Sequence, residues 1–163
     1  MNTVELLNDP APNPAELESR WNGHGMPSQR PATEEDLDVV AGYLGLWRAV
    51  VDAGTETERV QHLNRMLGEY TAAPSITDHD GSGWHLHFRD PEAGFGLTLA
   101  GATTAAAAQF LTARGIHRLG RCHLAECEQA FIDFSRPGTQ RYCSRACANR
   151  DAVRRHRARR ISA

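Results

Sequence analysis

Lysine is absent from this chain: all 18 basic residues are arginine, set against 20 acids for a net charge of −2 over 163 residues. With alanine and glycine abundant, this reads as the compositional bias of a GC-rich source and not as evidence of function. Long apolar runs are absent too. None approaches the ~20 residues that a membrane-spanning helix requires, and no basic-then-apolar leader opens the sequence, so the expectation is a cytoplasmic chain with no membrane partner. No P-loop, dinucleotide-binding glycine motif or serine nucleophile elbow occurs, which removes common nucleotide-binding and hydrolase readings and leaves a chain expected not to be an enzyme. Cysteine is scarce, and all four copies fall between positions 122 and 147.

Those four form two pairs, Cys122 with Cys127 and Cys143 with Cys147. Tetrahedral zinc needs four soft, deprotonated ligands around one point, and short loops or single helical turns deliver them in pairs. The first spacing suits a tight knuckle; the second sets its cysteines at i and i+4, facing one way from the first turn of a helix. Two structural disulfides are the alternative, but a compact cluster in a reducing compartment points to metal. Between the pairs, Phe131 to Phe134, a turn at Ser135 to Thr139 containing Pro137 and Gly138, and Gln140 to Tyr142 predict strand, turn, strand. Knuckle, hairpin and helix are the order of a treble-clef-like zinc finger. With thiolates at every ligand position there is no open site for a bound water, so one structural Zn2+ is expected.

The small net charge conceals a division. Residues 1–113 hold 6 Arg against 16 acids, or −10, whereas residues 114–163 hold 12 Arg against 4 acids, or +8. Such asymmetry suggests a basic tail with its own partner. A helix capped by Ser144 and running to about Arg160 would be ~25 Å long, enough to cross a DNA major groove. Seven of the sixteen residues from Arg145 to Arg160 are arginine, and Ala148, Ala152 and Val153 offer a narrow apolar side for packing on the finger. Guanidinium groups bind phosphates bidentately. The candidate nucleic-acid contacts are therefore Arg136, Arg141, Arg145, Asn149, Arg150, Arg154, Arg155, Arg157, Arg159 and Arg160, of which Asn149 and Arg150 could also read adenine and guanine. The rival readings are a solvated charged helix, or one docked on the acidic half of the same chain or of a neighbour.

These residues also carry a resemblance. Cys122 to Cys127, Phe131-Ile132-Asp133, Arg141-Tyr142-Cys143-Ser144, Cys147-Ala148-Asn149-Arg150 and the run Val153 to Arg160 resemble the CGNR zinc finger, with Ala148 where that family has glycine. The family is found at the C-terminus of bacterial proteins whose N-terminal region is called the ABATE domain, described as stress-induced transcription regulators. Upstream the likeness is fainter, resting on Asn2-Thr3-Val4 and Leu63-Asn64. It implies a transcription regulator that is cytoplasmic and nucleoid-associated. Its finger would contact DNA, while its N-terminal domain senses a small-molecule effector or forms a homodimer.

The N-terminal domain, residues 1–116, is predicted to be mainly α with a small β-hairpin near residues 75–88; residues 117–163 form the finger. Asn13 caps a short helix with Pro14 at its first position, ending before Gly23 and Gly25. Thr33 caps a longer one whose Leu37, Val40, Leu44, Trp47 and Val51 recur at helical steps, with Gly54 at its end. A third helix, about Thr57 to Thr71, carries Val60, Leu63, Met66, Leu67 and Tyr70 on one side. A fourth spans about Ala93 to Ala113 before Gly115, its start blurred by Gly94, Gly96 and Gly101. Within the hairpin, Trp84, His85, Leu86, His87 and Phe88 alternate, which predicts a strand with the apolar residues inward and both histidines outward, paired with Ser75 to Thr77. His79, His85 and His87, with Asp78 and Asp80, could bind a metal, and a metal-dependent enzyme built on them is one alternative function. Outward polar residues explain the same pattern without function. An RNA-binding or ribosome-associated module is the other alternative, supported by the same arginines.

Overall fold

The computed structural model describes residues 3–26, 30–78, 83–90 and 92–161. His79 and Asp80 of the histidine set and Asn2 of the family resemblance lie outside them. The fold is mainly helical, with two small antiparallel strand pairs. In chain order its elements are α1 (Thr3–Asn8), α2 (Pro14–Gly23), α3 (Glu34–Asp52), α4 (Glu56–Tyr70), β1 (Ser75–Thr77), β2 (His85–His87), α5 (Phe95–Arg114), a single 3-10 turn (Ile116–Arg118), β3 (Leu119–Arg121), β4 (Ala130–Ile132) and α6 (Arg145–Ile161). Among the described residues no helix is long and apolar enough to cross a membrane.

Helix α3 is the centre. Thr33 and Asp36 cap it reciprocally, each side chain accepting from the other's backbone N–H at 3.3 and 2.9 Å, which satisfies two of the donors a helix start leaves unpaired. Its stripe buries Val40, Leu44, Trp47 and Val51, joined by Tyr43 and Val50, against α4 and α5. Each such large apolar side chain contributes roughly 1.5–3 kcal/mol when fully buried. The Tyr43 hydroxyl lies within hydrogen-bond distance of Thr103 at 2.6 Å, Thr104 at 3.2 Å and Thr3 at 3.3 Å, so one phenol ties α3 to α5 and α1. Burial pushes this phenol up from its ordinary pKa, and it stays protonated. The expected cap at Asn13 is present, accepting from Glu16 at 2.9 Å, and Thr55 caps α4, accepting from Glu58 at 3.1 Å.

Three features depart from the sequence expectations. First, α1 was not anticipated: the segment before Pro10 reads as polar, yet Thr3, Val4, Leu6 and Leu7 are buried, a six-residue helix with no cap signal held by tertiary contacts. Second, β1 and β2 pair as expected, Ile76 opposite Leu86, but the faces are inverted. Ile76 is 70% exposed, Trp84 79% and Leu86 56%, while His85 and His87 are half-buried on the other side. A ribbon of two three-residue strands has no sheet partner beneath it, so alternation distinguishes two faces without fixing which one turns inward. Third, Gln140 to Tyr142 is not a strand. The partner of β4 is β3, ahead of the first cysteine, with Leu119 opposite Ile132 and Arg121 opposite Ala130. The hairpin's turn is therefore the cysteine knuckle itself.

This second hairpin is rooted in the helical core: Leu119, Ala130 and Ile132 pack with the side chains of α1 and α3. The Asn8 amide completes the ladder at the open edge of β4, donating to the Ala130 carbonyl and accepting from its N–H, both at 2.9 Å. Two buried arginines reinforce the join. Arg59 donates to the carbonyls of Val50, Val51 and Ile116, closing the C-terminus of α3 where the helix leaves unpaired acceptors and a partial negative charge. Arg118 does the same for α5 through Arg114, and it also gathers the carbonyls of Asp133, Ser135 and Arg136.

The glycines that blur the start of α5 mark close approaches. A Cβ at Gly96 would lie 3.0 Å from the Asp36 carbonyl oxygen, and one at Gly101 would lie 2.5 Å from that of Tyr70. Gly101→Ala should therefore destabilise the chain by about 1–3 kcal/mol in denaturant unfolding, although alanine is the better helix former; a neutral or stabilising result would contradict the packing of α4 on α5. Asn8→Ala leaves the Ala130 N–H and carbonyl unpaired beside the core and should cost about 1–3 kcal/mol in the same measurement.

Candidate metal centre and basic helix

The knuckle is built by backbone geometry. Cys127 N–H donates to the Leu124 carbonyl at 2.8 Å and Cys122 N–H to that of Gln129 at 2.9 Å, folding the first pair back on itself at the tip of β3 and β4. Leu124 is buried between Cys122 and Cys147. The His123 N–H reaches the Arg141 carbonyl at 2.9 Å and brings the second pair alongside. Ser144 then caps α6, its hydroxyl accepting from Cys147 N–H at 3.2 Å, so the residue between the second two cysteines also starts the helix that carries the last.

The result is one cluster. All four ligand sulfurs lie within 4.8 Å of one another. The Cys127, Cys143 and Cys147 sulfurs form a triangle with sides of 3.7, 3.6 and 3.8 Å. Tetrahedral Zn–S bonds of about 2.3 Å place sulfurs about 3.8 Å apart, whereas a disulfide holds them at about 2.05 Å. The four cysteines thus form a zinc-binding site, consistent with one structural Zn2+. Burial and its thiol neighbours push Cys143 up to about 12, since crowded sulfurs resist ionising together. A divalent cation among them reverses that penalty and couples metal binding to folding of this segment.

Around the cluster, the loop from Asp133 to Gln140 replaces the expected strand and turn. Asp133 is buried and accepts from the backbone N–H groups of Ser135 and Gln140, both at 2.8 Å. Burial works against its charge, but those donors and the Arg118 guanidinium hold the carboxyl below its usual range. Gly138 takes φ +67, where an added Cβ would lie 2.7 Å from the Arg118 guanidinium, so the loop's turn is shaped against that side chain. Arg121 spans the seam to α3 with a bidentate pair to Asp52 at 2.7 and 2.9 Å. Half-exposed, this pair orients more than it stabilises.

The basic helix docks differently from expectation. Cys147 and Asp151, one turn apart, are its buried residues, whereas Ala152 and Val153 are exposed. The position of Cys147 in the cluster dictates this, because the residue four further on must share its face. Asp151 is the finger's second organiser: its carboxylate accepts from the Tyr142 hydroxyl at 2.7 Å, from Arg154 at 2.6 Å and from Arg155 at 2.8 Å. The Tyr142 hydrogen bond, with Arg154 and Arg155, keeps this carboxyl below its ordinary range. Arg154 also meets Glu126 of the knuckle at 3.5 Å.

The ten proposed contact residues therefore fall into groups. Arg154 and Arg155 are held by Asp151, and Arg141 donates to the His123 ring at 3.0 Å. Arg136 is exposed in the loop at the hairpin's root, away from the knuckle end, its carbonyl held by Arg118. Arg145, Asn149, Arg150, Arg157, Arg159 and Arg160 are exposed on α6, and these five arginines make no ion pair among the described residues. Every residue from 152 to 160 is exposed, so the second half of α6 projects from the finger. None of its ion pairs among the described residues reaches the acidic helices.

Arg59, Arg118, Asp133 and Asp151 all position the site; the sequence offers Asp133 only within the resemblance and gives no role to the other three. The signal available was weak: Asp151 stands four residues after the last cysteine, on the face that must turn inward. Replacing Cys147 by serine should lower bound zinc from one per chain to less than a tenth of that by metal analysis, with loss of α6 helicity in circular dichroism. Full zinc retention in that variant would contradict the four-sulfur site.

No curated protein matches the chain. Residues 118–160, the segment comprising the knuckle hairpin, the Asp133 loop and the basic helix, match the family model of the CGNR zinc finger.

Proposed function

We propose that the zinc module is a DNA-binding element and the chain a transcription regulator. The observation that carries this is the free half of α6. Its arginines Arg157, Arg159 and Arg160 are exposed and make no ion pair among the described residues, nor does the exposed Arg150 beside the anchor, and the helix is held at its other end by Cys147 and Asp151. An anchored rod of ~25 Å bearing guanidinium groups suits a major groove, where phosphate contacts supply affinity and one or two side chains read base edges. Arg154 and Arg155, fixed by Asp151, would approach phosphates as preoriented groups; Asn149 and Arg150, exposed on the same helix, would reach bases.

A single finger offers a small interface, so useful specificity calls for two copies on paired half-sites, with the helical domain setting their spacing or answering a small-molecule effector. The resemblance to ABATE-domain regulators supports the same assignment. RNA is the competing ligand for the same arginines, and competition between duplex DNA and structured RNA separates the two.

Fluorescence anisotropy with duplex DNA across a salt series tests the proposal. Each lost phosphate contact removes about 0.9 from the slope of log K against log salt. The variant Arg157→Ala/Arg159→Ala/Arg160→Ala should lower the slope by about 2–3 while retaining zinc. Absence of binding at low salt, or a slope unchanged in that variant, would sink the idea.

A further inference from the structure

Strand β2 carries a group that neither the zinc cluster nor the basic helix uses. His85 and His87 share one face of the ribbon, opposite Thr77 and Ser75, and both are half-buried. Their Nε2 atoms are 3.1 Å apart, with ring centroids at 4.9 Å and planes inclined by 55°. The Nδ1 atom of His85 lies 2.7 Å from the Gly83 carbonyl oxygen. A carbonyl only accepts, so Nδ1 carries the proton, and in the neutral ring Nε2 is left as a bare lone pair aimed at the second imidazole.

An outer N–H given to a backbone carbonyl, with the inner nitrogen bare, is the arrangement that fixes a metal-ligating histidine. The separation supports the same use. Two imidazole nitrogens each about 2.0–2.1 Å from one ion stand about 2.9 Å apart at a right angle and about 3.4 Å apart at the tetrahedral angle. The observed 3.1 Å falls between these limits.

We propose that His85 and His87 form a second metal site, a bidentate imidazole pair for a divalent transition ion. In the metal-free pair the His87 Nε2–H donates to the bare nitrogen of His85. On binding, His87 carries its proton on Nδ1 instead, and both Nε2 lone pairs face the ion with no net change in protonation. Two imidazoles without a thiolate favour Cu2+ over Ni2+ and Zn2+. The site is separate from the four-cysteine cluster and does not depend on the DNA-binding assignment.

The test uses the full chain with its finger zinc-loaded and 15N-labelled, titrated with Ni2+. Sub-stoichiometric Ni2+ should broaden the amide signals of residues 75–77 and 83–88 before any others, and calorimetry should show one nickel per chain. His85→Ala and His87→Ala should each weaken nickel binding roughly 10–100-fold, at least what loss of an outer-shell partner costs, with zinc content unchanged. Broadening that begins elsewhere, or equal nickel affinity in the double variant His85→Ala/His87→Ala, would overturn the site. Should the variants disturb the ribbon, the wild-type broadening map decides alone.

Discussion

Four sulfurs converging within 4.8 Å at the tip of one hairpin are the constraint on which the C-terminal third depends. Thiolates this crowded repel one another, and a divalent cation among them offsets that repulsion, so metal binding and the folding of this segment are coupled. Cys147 belongs to α6, so closing the cluster fixes that helix's rotation, and its rotation determines that Asp151 turns inward and Arg150, Arg157 and Arg160 outward. The hairpin carrying the knuckle is also part of the main core, through Leu119, Ala130 and Ile132. The metal centre is thus continuous with the helical domain.

Arginine does three kinds of work here, and the absence of lysine makes the division plain. Arg59 and Arg118 are buried and spend their guanidinium groups on carbonyls, closing the C-termini of α3 and α5 where the hairpin joins them. A planar fork with five donors can satisfy several acceptors at once, which an ammonium group does less well. Arg121, Arg154 and Arg155 are paired with Asp52 or Asp151 and orient the pieces they join. The arginines at the free end of α6 are exposed and make no ion pair among the described residues. A count of basic residues merges these classes, and only the burial of each guanidinium separates them.

Much of the helical framework was legible because its signals are local. The caps at Asn13, Thr33 and Ser144 and the apolar stripe of α3 depend on neighbours a few residues away, and the cysteine spacing announces its chemistry by itself. What could not be read was settled by tertiary context. α1 is held by the core and not by its own propensity. The partner of β4 lies on the far side of the knuckle, where the aromatic pattern of Gln140 to Tyr142 gave a misleading lead. Alternation in β2 was real, but the direction of burial depended on what the ribbon packs against, so Trp84 and Leu86 face outward and the histidines meet each other. Asp133 and Asp151 carry no local signal of their role, whereas burial and convergent donors make them organisers of the basic segment.

Hydrogen–deuterium exchange with the zinc removed by a chelator tests most directly whether the metal holds the basic helix on a hairpin rooted in the core. The account predicts that amides from Cys122 to Arg160 lose protection, while those of α3, α4 and α5 keep theirs. Unchanged protection through Ala146 to Asp151 without zinc would contradict it.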